Sequence, residues 1–84
     1  MTAPRSSQPQ VRNPLLTLPA MAQLQALPAD QRAALAMLLE QVAVDAHAKA
    51  ETSWRKRKGP MAAYWRAVGV YARHTSRAVR RGAA

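Results

Sequence analysis

Residues 29 to 58 contain neither Gly nor Pro, with Pro28 just before them and Gly59-Pro60 just after. Proline lacks the N–H that a helix interior needs but a first turn does not, so Pro28 ends one helix and opens another. Asp30 then places an anion at the positive end of the helix dipole. At about 100° per residue, Leu35, Leu38, Leu39, Val42 and Ala46 fall on one narrow stripe. The stretch predicts a long amphipathic helix over about 28–57. Its last residues, Arg55, Lys56, Arg57 and Lys58, set cations where the dipole is negative.

The Gly59-Pro60 junction fits a left-handed C-cap at Gly59 followed directly by a proline-opened helix, and so short a link predicts an antiparallel αα-hairpin. The third helix is expected over about 60–81, with Met61, Trp65, Val68, Ala72 and Val79 facing the second and Tyr64, Tyr71 and Ala78 beside them. Upstream, Met21, Leu24 and Leu27 recur at helical spacing behind Thr17, a candidate N-cap, and Pro19, tolerable in a first turn; this predicts a short helix over about 18–26. The class is all-α: a short N-terminal helix, then a long hairpin, forming one domain over residues 16–81. Residues 1–15, rich in Pro, Ser and Gln without hydrophobic periodicity, are expected to be a disordered tail, and 82–84 to fray. Abundant Ala and absent Phe agree with helices packed through small residues.

The chain has 84 residues and no Cys, so disulfides and thiolate metal sites are excluded and extra stability has to come from helix packing or self-association. A homodimer is the expected form. No apolar run approaches the roughly 18–20 residues of a membrane span, and no secretory signal is evident, so a cytoplasmic protein is expected.

Charge is distributed unevenly. Residues 1–53 balance Arg5, Arg12, Arg32 and Lys49 against Asp30, Glu40, Asp45 and Glu51, so the net charge of +9 lies in residues 54–81. There, Arg55, Lys56, Arg57, Lys58, Arg66, Arg73, Arg77, Arg80 and Arg81 occur without one acid. On a helical wheel Arg66, Arg73, Arg77, Arg80 and Arg81 share a face within about 60° of Arg66, opposite the apolar set. A helix needing only solubility would mix Lys with Glu at i, i+4, whereas an acid-free row invites a polyanion, and the planar Arg fork suits phosphate. The bland alternative is an Arg-rich solvated face, and for the 55–58 cluster it is helix C-capping.

All four aromatic residues lie in the same stretch. Trp54 and Trp65 are expected to pack between helices two and three near the turn in preference to stacking on bases, and Tyr64 and Tyr71 to pack with hydroxyls at the rim. Met21, Met37 and Met61 read as core or rim fillers. His47 and His74 read as surface residues: Asp45 points away from His47, and a lone His47–Glu51 pair is not a metal site. With no phosphate loop or nucleophile motif, no enzyme, cofactor or metal is expected.

The function expected is nucleic-acid binding through the phosphate backbone, duplex DNA ahead of RNA. Sequence preference is expected to be weak, since Asn and Gln, the residues that read adenine, are absent after Gln41. The alternative is a protein-interaction module, an adaptor or inhibitor whose basic face docks on an acidic partner. An anionic membrane surface ranks last, because helix three is needed for the core.

Overall fold

The computed structural model describes residues 13–83. They form a 3-10 turn, Pro14–Thr17, and three helices: α1, Ala20–Gln25; α2, Ala29–Arg55; and α3, Gly59–Arg81. Helices α2 and α3 pack along their length as an antiparallel hairpin, and α1 with the 3-10 turn lies against the C-terminal half of α3. Among the described residues there is no strand and no helix long and apolar enough to cross a membrane.

The hairpin meets along a line of small side chains. Ala36, Ala43, Ala46 and Ala50 are buried on α2, with Leu39 and Ser53 half-buried between and beyond them; on α3 Ala62, Gly69, Ala72, Ser76 and Val79 are buried, with Trp65 half-buried. Both series advance by alternating threes and fours, the seam of a left-handed helix pair. Small residues let two helix axes approach closely. At Gly69 the space is filled by a neighbour: a Cβ there would stand 3.1 Å from His47 Nε2.

This seam is turned about 40–50° from the expected stripes, toward the smaller residues. Leu38 is 63% exposed, Val42 46% and Met61 44%, although all three were expected to face inward. Hydropathy favoured the line with the larger side chains; packing selected the adjacent line, where alanines, a glycine and a serine permit contact over the whole length of the pair.

The end of the hairpin opposite the loop is closed by polar contacts. Asn13 is fully buried: its Nδ2 donates to the Tyr71 carbonyl at 3.1 Å and to Thr75 Oγ1 at 3.0 Å, and its Oδ1 accepts from the Leu15 N–H at 3.1 Å. Asn13 therefore caps the 3-10 turn, and Thr17, the expected cap, instead donates its hydroxyl back to the Pro14 carbonyl. Of the tail expected to be disordered, residues 13–15 are thus held in place, while residues 1–12 lie outside the described part. Helix α1 is shorter than expected and buries Met21 against Ala78 and Val79.

Helix α3 closes on Gly82, whose φ of 76° suits glycine and whose N–H donates to the Ala78 and Val79 carbonyls. Arg32 reaches across from α2, donating from Nη1 to the Arg80 carbonyl at 2.7 Å and the Val79 carbonyl at 3.3 Å, and from Nε to the Leu27 carbonyl at 2.9 Å. A cation at the negative end of α3 also meets its dipole favourably. The Ala83 N–H donates to the Gln25 carbonyl at 3.0 Å, and Gln25 Nε2 to the Ala78 carbonyl at 3.0 Å.

Candidate nucleic-acid interface

The arginine row rides on α3. Arg66, Arg77, Arg80 and Arg81 are exposed and Arg73 is half-buried. Ser76, buried in the seam beneath them, donates its hydroxyl to the Ala36 carbonyl at 2.7 Å and lies 3.3 Å from Glu40 Oε2. Thr75, Tyr71 and Ala78 meet the N-terminal segment on the other side of the helix. The hairpin therefore has two broad faces: one bears Arg66, Arg73, Arg77 and Arg80, and the other bears α1 and the larger apolar side chains.

The row is less free of acids than α3 alone suggests. Glu40, from α2, stands 3.6 Å from Arg80 Nη2, with both side chains about half exposed. A pair that open to solvent contributes about 0–1 kcal/mol, which leaves the Arg80 guanidinium available to a stronger anion. By helical spacing Glu51 and His47 lie on the same side of α2 as Glu40. His47 is half-buried and not a surface residue: its Nε2 is buried without a hydrogen-bond partner, over Gly69.

The second cationic group surrounds the loop. Helix α2 closes through a Schellman motif in which the Lys58 N–H donates to the Ser53 carbonyl at 2.8 Å and the Arg57 N–H to the Trp54 carbonyl at 2.9 Å. The left-handed position belongs to Arg57, at φ 59°, and not to Gly59, which begins α3 with Pro60 in its first turn. Arg55, Lys56, Arg57 and Lys58 are all exposed. Two hollows flank the loop. One, of about 560 Å³, is lined by Trp54, Arg55, Arg57 and Gly59; the other, of about 310 Å³, by Lys49, Lys56, Lys58 and Trp65 with Ala48, Thr52 and Ser53.

The two tryptophans differ. Trp65 is half-buried at the seam, with Lys49 Nζ 5.4 Å from its ring centroid and the Tyr64 ring edge-on to it at 5.1 Å. Trp54 is 64% exposed and does not pack between the helices as expected. At its position the seam has already passed to Ser53. Tyr64 is exposed rather than at the rim, and Met37 is exposed, whereas Met21 is core.

The sequence-predicted residues thus form two groups, the row on α3 and the cluster at the loop, with Arg66 seven residues, or about 10 Å, into α3 from Gly59. Lys49, absent from the sequence-predicted set, lines one hollow at the loop, and Trp54, weighed from the sequence for base stacking and assigned to packing instead, lines the other. Trp54 is contiguous with the basic run, and that adjacency was the available signal. Among the described residues no group of three or more His, Cys, Asp or Glu is placed to hold a metal. Comparisons with family models, with curated proteins and with solved structures find no match to this chain.

Proposed function

We propose that this chain binds nucleic acid through the phosphate backbone, using Arg66, Arg73, Arg77, Arg80 and Arg81 of α3 together with Arg55, Lys56, Arg57 and Lys58 at the loop. The observation that carries the reading is the one-sided placement of the α3 arginines, with Arg66, Arg77, Arg80 and Arg81 exposed and only Arg80 given a carboxylate partner among the described residues. Phosphates relieve the repulsion that such a row accumulates, and guanidinium forks bind them with directed hydrogen bonds. Lacking Asn and Gln on α3, the surface favours backbone contact over base reading.

Fluorescence anisotropy with labelled duplex and single strands tests this. Log affinity is expected to fall linearly with log salt, and Arg66→Ala and Arg77→Ala each to reduce the slope by about one. An absence of binding to either at low salt overturns the reading. A complex that survives nuclease and contains an acidic protein would place the same face on a protein partner.

We further propose that the apolar face is covered by a second copy of the chain. Leu38 and Val42 are exposed on the side of α2 that carries Leu35, and Leu15 and Leu18 rim an apolar hollow of about 300 Å³ beside Met21, Leu24 and Leu39. The charged residues that α2 adds to that side, Asp45 and Lys49, cancel. Around Leu38 and Val42 this side carries far less charge than the arginine face, its cations Lys49, Lys56 and Lys58 gathering at the loop end, so it is the side on which a strongly cationic chain meets its own copy with the least repulsion. Sedimentation at tens of micromolar is expected to give twice the 9.2 kDa chain mass, and Leu38→Glu with Val42→Glu to return the monomer. A monomer for the unaltered chain refutes self-association.

A further inference from the structure

Trp54 and Arg57 are both anomalies at the loop. The buried hydrophobic residues of this chain are mostly alanines, yet one of its two largest apolar side chains is left 64% exposed. A left-handed backbone disfavours any side chain with a Cβ, by roughly 1–2 kcal/mol, yet the position goes to Arg57 with a glycine two residues away. Local strain of this kind persists where the side chain it presents is needed. The two residues also border one space: with Arg55 and Gly59 they line the same hollow of about 560 Å³.

We infer that this hollow is a nucleotide site, in which the indole of Trp54 stacks on one unpaired base and Arg55 and Arg57 hold the phosphates that flank it, so that the ligand class is single-stranded nucleic acid. The inference rests on the backbone-binding reading above and narrows it. An open π-face beside two guanidinium forks supplies the two components of sequence-tolerant single-strand binding, a stacking platform and an anion clamp. Trp65 does not offer the same platform, because Lys49 lies over its ring and Tyr64 meets it edge-on. Bases within a duplex are already stacked on each other, so Trp54 adds nothing to duplex binding. Lys56 and Lys58, lining the hollow on the other side with Lys49, extend the phosphate track across the loop.

The full chain with a labelled 20-nucleotide oligothymidine, and with a duplex of equal length, tests the assignment when the unaltered protein is compared with Trp54→Ala, Trp54→Phe and Arg66→Ala. Trp54→Ala is expected to weaken single-strand binding by about 5- to 150-fold, the range given by stacking on one base. Duplex affinity and both salt slopes should stay unchanged, and Trp54→Phe should keep most of the single-strand affinity. In a Trp65→Phe background, emission from Trp54 is expected to be quenched on adding the single strand. Equal loss on both ligands, or no loss on the single strand, overturns the stacking site while leaving backbone binding in place. Arg66→Ala is expected to weaken both ligands alike, and if the unaltered, folded chain binds neither ligand the backbone reading fails and the site fails with it.

Discussion

The two ends of the hairpin treat their polar backbone and their large side chains in opposite ways. At the end opposite the loop, the last carbonyls of α3 are taken by Arg32 and Gln25, Asn13 is buried with both polar atoms of its amide satisfied, and Met21 and Val79 lie buried beside them. At the loop end α2 is capped by its own backbone alone, an indole stands in solvent, and four consecutive cations have no acid beside them in sequence. Buried, partnered side chains hold a structure together. Exposed aromatic and cationic ones add little to folding, and their placement is explained better by something they bind. The closed end therefore reads as the anchor, and the loop end is where the proposed binding surface lies.

Substitutions can separate the two roles. The largest effect is expected midway between the ends, where Ala43 is fully buried in the seam: Ala43→Leu forces the helices apart and should lower unfolding free energy by about 2–3 kcal/mol in a urea titration. At the closed end, Asn13→Ala removes the acceptor of the Leu15 N–H and the donor to Thr75 Oγ1, while the Tyr71 carbonyl keeps the Thr75 hydroxyl, and it should remove about 2 kcal/mol by the same measurement. Helix content should fall first in α1 and the 3-10 turn, seen as faster amide exchange there. A change below about 0.5 kcal/mol would mean that the closed end is not the anchor. At the loop, Arg57→Gly should have the smallest effect on stability and the opposite sign, a gain of about 0.5 kcal/mol as relief of the left-handed backbone is partly offset by a more flexible unfolded chain. Its nucleic-acid affinity should fall even so, and a variant gaining both stability and affinity would remove the reason offered for an arginine at this position.

Much of this arrangement is legible in the residues themselves. Pro28 and Gly59-Pro60 punctuate the chain strongly enough to define α2, α3 and the short link, because a missing N–H and a fixed φ act locally whatever the rest of the chain does. The segregation of arginines to one side of α3 follows from spacing alone, since a helix fixes the angle between residues before it meets a partner. Less legible was which of two neighbouring stripes becomes the seam. Leu35, Leu38 and Val42 dominate any hydropathy count, while Ala36, Ala43 and Ala50 barely register in it, and the choice between them depends on how near two backbones can come.

The sequence by itself determined three helices, their order, and a cationic C-terminal third, all consequences of interactions within a few residues of one another. Only the tertiary structure decided that small residues form the seam, that Asn13 and Arg32 close one end, and that Trp54 stays in solvent at the other. Those outcomes depend on contacts between residues dozens of positions apart, such as Asn13 with Thr75 and Arg32 with Arg80. Complementary shape and unsatisfied carbonyls select such partners, and neither leaves a periodic trace in the chain.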